Sequence, residues 1–129
     1  MINFKSIIFV IGVTLSKLAL FMWLPLLMAF FSGTAGTAEF LASAVITHTI
    51  SLIFVRFGYK QAFRLNVRDM FVMTTFTWLV SCAFATLPFL LLSKLSFTDA
   101  YFEAMSGLTT TGSTVMQGLE HMPPAILLW

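Results

Sequence analysis

Charge is scarce in this sequence. Only 9% of its 129 residues are Asp, Glu, Lys or Arg, whereas 59% are hydrophobic and the mean hydropathy is +0.96. Soluble domains carry roughly a quarter charged residues, so that class is excluded and the composition is that of an integral membrane protein. Cysteine is nearly absent as well. The single Cys82 lies within an apolar run, so one chain can build neither a disulfide framework nor a cysteine-based metal site. Histidine is limited to His48, within an apolar segment, and His121, in a polar connection. With no second histidine on the membrane segments, haem or metal ligation is disfavoured and His48 is read as a hydrogen-bonded packing residue. The net charge of +2 is too small to point to nucleic acid. No organic cofactor is expected, because lipid-facing and core packing account for the methionines and aromatics.

Long hydrophobic runs are what the sequence does have. At about 20 apolar residues per crossing there is room for three or four spans and no soluble domain. The first run, Ile7 to Phe31, is too long for a signal-peptide core and is read as a retained helix. It contains Pro25 and Lys17. A lysine near mid-bilayer costs roughly 2.5–3.5 kcal/mol on insertion scales, so Lys17 is expected to face protein or water. The Gly-rich segment 32–37 is a turn. Phe40 to Phe57 makes a second, short span on which Ser43, Thr47 and Ser51 recur every four residues, the small polar stripe along which membrane helices approach one another. Met70 to Leu92 has no charge, carries a polar stripe of Thr74, Thr77 and Ser81, and can bend at Pro88.

Charge distribution sets the expected topology. Arg56, Lys60, Arg64 and Arg68 crowd one connection, while the turn from Gly33 to Glu39 has no basic residue. By the positive-inside rule the basic connection and the N-terminus with Lys5 are cytoplasmic, and the glycine turn faces outward.

The helical segment beyond Leu92 is too short to cross. Ser96 and Asp99 form a capping-box-like start, and the helical pattern runs only to about Leu108. Such a helix is about 18 Å long, against a hydrocarbon core of about 30 Å. Phe97, Tyr101 and Leu108 are placed on its apolar side. Asp99 and Glu103 lie one turn apart on another side, where they would balance the helix dipole and draw cations to a mouth. A short helix that enters the membrane and stops is a re-entrant element, allowed only where protein or water satisfies the backbone after it. Residues 118–124 read as a surface connection, with Pro123 and Pro124 suited to opening another helix. Ala125 to Trp129 would begin that helix, so the sequence reads as truncated inside a structural unit.

The segment Thr109-Thr-Thr-Gly-Ser-Thr114 is suited to holding a cation. Selectivity needs oxygen ligands that replace a hydration shell without trapping the ion, and backbone carbonyls meet that need. An extended line of these residues would present successive carbonyls, Gly112 allowing the angles that turn them toward one axis. The negative end of the preceding helix points the same way. A phosphate loop is disfavoured: Gly107 and Gly112 have the right spacing, but Ser113 stands where the lysine is required. The plain alternative is an ordinary turn in a small structural membrane protein that docks to a larger complex through its Ser/Thr stripes without conducting ions.

A span, a short helix with Phe102-Glu-Ala-Met-Ser-Gly-Leu-Thr-Thr-Thr-Gly-Ser-Thr114, and Gly118-Leu-Glu-His-Met-Pro-Pro124 resemble the membrane subunits of the Trk/Ktr/HKT potassium transporter superfamily, most nearly the TrkH type. The resemblance implies an all-α membrane fold of three transmembrane helices plus a re-entrant pore helix and filter loop. Residues 1–66 would hold two N-terminal helices and the basic loop, and residues 67–129 an incomplete first pore repeat. It implies potassium as the transported ion, bound by the backbone carbonyls of Thr110 and Thr111 with Gly112 and Ser113 beside them, and no enzyme site. The implied surroundings are lipid, three further pore repeats, a homodimer at full length, a cytoplasmic nucleotide-binding regulatory subunit and the bacterial inner membrane. Passive conduction and ion-coupled symport both stay open.

Overall fold

The computed structural model describes residues 4–58 and 66–129. Its elements are helical throughout the described residues: α1 (Phe4–Phe21), α2 (Trp23–Ser32), α3 (Thr37–Gly58), α4 (Val67–Ala85), α5 (Leu87–Leu92), α6 (Phe97–Leu108) and α7 (Pro124–Leu128), with a single 3₁₀ turn at Leu119–His121. Three apolar stretches are long enough to cross a membrane: Phe4–Ser32, Thr37–Gly58 and Val67–Leu92. Each contains one of the three expected spans and extends it by a turn or less. Lys60 and Arg64, half of the basic cluster, lie outside the described residues.

Two of the spans are broken, both near prolines. A proline inside a helix lacks the N–H for the carbonyl four residues earlier and its ring crowds that carbonyl. The ladder therefore interrupts at Met22, between α1 and α2, just before Pro25, and at Thr86, between α4 and α5, just before Pro88. At the second break Thr86 donates its hydroxyl to the Ala83 carbonyl at 2.6 Å, and the Trp129 indole donates to the Ala85 carbonyl at 3.0 Å. The turn after α2 needs glycine twice, at Gly33 with φ 61° and Gly36 with φ 123°. Helix α4 opens with a cap the sequence reading passed over: the Asn66 N–H donates to Asp69 Oδ2 at 3.2 Å, and the Asp69 side chain is buried.

The α1–α3 contact organises the bundle. Ser43, Thr47 and Ser51 are fully buried, as their four-residue repeat requires. Ser51 donates to the Gly12 carbonyl at 2.9 Å, while Ser43 and Thr47 return their hydroxyls to carbonyls of their own helix. Gly12 makes this approach possible, since a Cβ there would stand 2.8 Å from Phe54 Cβ and from the Val55 nitrogen. The polar stripe on α4 is less uniform. Ser81 is buried, Thr77 is half-buried and Thr74 is exposed, and both threonines bond back to their own helix. Ala85, Phe89, Ala100, Ala104, Ala125 and Ile126 join Met22, Leu26 and Phe40 in the main core, which gathers α2, α3, α5, α6 and α7 at one end of the bundle. Ile7, Ile11 and Leu15 form a second core toward the other end.

Polar groups are inside and large apolar groups outside. Phe31, Phe57 and Phe71 are each more than 70% exposed, while the interior holds the stripe serines and threonine, Asp69 and Glu103. A protein in water could not carry so much exposed apolar surface; in hydrocarbon that surface is solvated, and interior hydroxyls help helices associate.

One expectation needs correction. His48 is exposed, and no hydrogen bond engages its ring among the described residues. It follows the buried Thr47 by one position, about 100° around the helix, so it points away from the α1 contact. There it lines a shallow groove with the exposed Lys17, Trp23 and Leu20.

Candidate ion-binding loop

Helix α6 positions the loop. Ser96 caps it: Ser96 Oγ accepts from the Asp99 N–H at 3.2 Å and donates to Asp99 Oδ2 at 2.7 Å. The bond from the Asp99 N–H is half of the reciprocal pattern expected of a capping box, and the carboxylate takes the serine hydroxyl in place of the Ser96 N–H. The face that packs is not the predicted one. Phe97 is 60% exposed, and the helix instead buries Ala100, Ala104, Glu103 and Ser106. Small side chains let α6 lie close against α4 and α5, which turns the ring of Phe97 outward. Tyr101 is half-buried and reaches α4 with its hydroxyl, donating to the Leu79 carbonyl at 3.3 Å. Of the expected apolar residues, Leu108 packs against the core.

The helix closes with a tight cap built from the loop's own threonines. The Thr111 N–H donates to the Ser106 carbonyl at 2.9 Å and the Thr110 N–H to the Gly107 carbonyl at 3.1 Å. These paired bonds, with a left-handed residue between, make a Schellman motif. The left-handed position is Thr110, at φ 57°. Glycine normally occupies it, and a β-branched residue there is an outlier that stores roughly 1–3 kcal/mol of strain. Thr109 Oγ1 bonds the Met105 carbonyl at 2.7 Å and shares a 2.8 Å hydrogen bond with Thr111 Oγ1, adding support on this side. Thr109 and Thr110 therefore finish the helix and do not form part of an extended line, which corrects the sequence-based expectation. From Thr111 to Gly118 the chain has no regular structure, and Gly112 takes φ 75° with open space on its Cβ side.

Thr110, Thr111, Gly112 and Ser113 are all exposed and contiguous at the C-terminal end of α6. Their carbonyls fall into two groups. That of Ser113 accepts Ser106 Oγ at 2.6 Å and is directed back at the helix. Among the described residues no hydrogen bond engages those of Thr110, Thr111 and Gly112. Buried or membrane-embedded carbonyls are normally paired, so three consecutive unengaged ones at the negative end of a helix form an oxygen-rich surface suited to a desolvated cation.

The other side of the loop is held by a residue whose expected role needs correction. Glu103 is only 7% exposed and does not stand at a mouth. Its Oε1 accepts Thr114 Oγ1 at 2.7 Å, the Val115 N–H at 2.6 Å and the Met116 N–H at 3.2 Å. A spacing of eleven to thirteen residues leaves no periodic signal, so this set was not legible in the sequence. The available signal was a lone carboxylate between Ala100, Ala104 and Ser106 on a packed helix face. A cavity of about 560 Å³ lies beside the loop, lined by Glu103, Gly107 and Gly112 and by apolar residues including Leu18, Phe89 and Trp129. Among the described residues no cluster of His, Cys, Asp or Glu could hold a metal ion.

Three long apolar helices, with a threonine–glycine loop capped onto a short fourth one, define an all-α, multi-span membrane protein. No protein-family model matches the chain. Over 98% of its length, however, it is 32% identical to the Trk system potassium uptake protein TrkH of Vibrio parahaemolyticus, 34% to TrkI of Halomonas elongata and 30% to TrkH of Escherichia coli K12. The crystal structure of the potassium transporter TrkH from Vibrio parahaemolyticus matches it with a TM-score of 0.91 at 32% identity, again over 98% of the chain. The chain is thus similar along nearly its whole length to TrkH-type Trk potassium uptake proteins, and spans about a quarter of the length of these relatives, 26–27%. The alternative of a small structural docking protein is left without support.

Proposed function

We propose that this chain supplies one of the four filter loops of a Trk-type potassium uptake transporter in the bacterial inner membrane, the backbone carbonyls of Thr110 and Thr111 contacting the ion and Gly112 and Ser113 completing the loop. The observation that carries this reading is the run of unengaged carbonyls at the carbonyl end of α6, which includes those of Thr110, Thr111 and Gly112. Strain at Thr110 supports it, since backbone strain persists where the surroundings over-determine a functional geometry. In this reading residues 67–129 form the first pore repeat, α6 is re-entrant from the outside, and the basic connection and N-terminus are cytoplasmic. Three further repeats of the same transporter close the pore, the full-length protein is a homodimer, and a cytoplasmic nucleotide-binding subunit regulates it. The protein moves an ion and makes or breaks no covalent bond.

The test is Gly112→Ser in the full-length transporter. A Cβ at Gly112 meets nothing within 4 Å, so the substitution acts through φ 75° alone. A non-glycine residue in the left-handed region costs about 1–2 kcal/mol, enough to shift the carbonyls of Thr110 and Thr111 while leaving the helices inserted. Rubidium uptake with sodium competition, normalised to protein in the membrane, should show a lost potassium preference before lost permeation. An unchanged preference at equal expression would make the loop a connector.

A further inference from the structure

Among the buried polar groups, Glu103 makes the most bonds to the loop. It stands in the middle of α6, and its three donors are Thr114 and the two backbone N–H groups that come next, on the strand by which the chain leaves the proposed filter. One turn along the same face, Ser106 holds the Ser113 carbonyl. The loop is thus fixed at both ends to one helix. Its entry is the Schellman cap at Thr110 and Thr111, and its exit is the Glu103 and Ser106 pair. Between them only Gly112 is untethered, and it has no side chain with which to pack.

We infer that Glu103 is a positioning residue for ion selectivity: through Thr114, Val115 and Met116 it sets the spacing of the carbonyls that contact the ion, without contacting the ion itself. The inference rests on the filter reading and deepens it. A carboxylate suits the task because all three partners donate and an ionised acid is acceptor-only. Bonds to it are shorter and stronger than those to a neutral oxygen, which fits the 2.6 and 2.7 Å distances. Burial adds to this, for in a low-dielectric site the same bonds hold the strand more tightly than they would in water. A cage that discriminates potassium from sodium by ligand spacing needs its exit strand held as firmly as its entry.

Three variants of the full-length transporter separate this role from plain structural support. Glu103→Gln keeps an acceptor oxygen at the same reach, Glu103→Leu keeps the volume and removes the acceptor, and Thr114→Val removes one donor only. The readout is the ratio of half-saturating rubidium to inhibitory sodium in uptake assays, per transporter in the membrane, alongside the maximal rate. The expected result is a loss of discrimination of about tenfold in Glu103→Leu, which removes all three bonds to the exit segment, with a change of no more than about threefold in Glu103→Gln, which keeps an acceptor, and in Thr114→Val, which leaves the two backbone bonds in place. A merely structural role would lower the amount of folded protein and leave the ratio unchanged. If Glu103→Leu does not accumulate, Glu103→Asp, whose shorter arm withdraws the acceptor from the strand, takes its place and should shift the ratio in the same direction. An unchanged ratio in the acceptor-removing variant, alongside a changed ratio in Gly112→Ser, overturns this inference and leaves the filter standing. Unchanged ratios in both overturn the filter reading itself. Equal losses in Glu103→Gln and Glu103→Leu overturn the positioning role in favour of one carried by charge alone.

Discussion

Gly12→Ala gives the sharpest test of how the bundle is held together. At this residue α1 passes so close to α3 that an added Cβ stands 2.8 Å from Phe54 Cβ and from the Val55 nitrogen, against about 3.4 Å for ordinary contact. The Val55 nitrogen is backbone and cannot swing aside, so the helices must part by about 0.6 Å. Overpacking of this kind costs about 1–3 kcal/mol. Separation also stretches the 2.9 Å bond from Ser51 to the Gly12 carbonyl, a class of interaction that averages about 0.6 kcal/mol within membranes. Against these, alanine gains up to about 1 kcal/mol in helix propensity over glycine. The balance is a destabilisation of about 1–3 kcal/mol, or roughly 5- to 150-fold in the folded fraction. The assay is thermal or denaturant unfolding of the purified full-length protein in detergent, with Gly107→Ala as the control. Gly107 is also helical, but its Cβ would meet nothing within 4 Å, so that variant should be no less stable than the parent. Equal stabilities for Gly12→Ala and the parent protein would refute the close α1–α3 packing.

Three further outcomes are expected. A cysteine at Arg68 should be protected from an impermeant external reagent in intact cells while one at Gln117 reacts, both positions being exposed; the reverse pattern would invert the proposed orientation. Lys17→Leu should insert and fold at parental levels, because no ion pair engages Lys17 among the described residues; a large drop in membrane-inserted protein would show that the charge is used. Asp69→Ala should lower unfolding stability by about 1 kcal/mol through loss of its bond to the Asn66 N–H, and parental stability would show that this cap does no work.

The features legible in the sequence were those with a period or a strong local rule. Spans followed from apolar runs, the α1–α3 interface from Ser43, Thr47 and Ser51 at helical spacing, the helix breaks from Pro25 and Pro88, and the start of α6 from Ser96. The loop was legible as a composition, but its geometry was not. Placing Thr110 in the left-handed region runs against the preference of a β-branched residue, so propensity pointed to an extended strand where the structure has a helix cap. The Glu103 bonds join positions eleven to thirteen residues apart and leave no pattern to read. His48 was misplaced because its type argues for burial in an apolar segment, whereas its register, one step past Thr47, decides otherwise. The predicted apolar side of α6 failed similarly: large rings signal a packed face in water, but against lipid the small residues Ala100 and Ala104 mark the packed one.

The most direct measurement of the central claim is the position of the ion. Full-length protein crystallised with rubidium or thallium in place of potassium would reveal the bound cation by its anomalous scattering. The expected result is a peak on the pore axis in direct contact with the carbonyl oxygens of Thr110 and Thr111, weakened or displaced in Gly112→Ser. A cation peak elsewhere in the pore, with none at this loop, would contradict the claim.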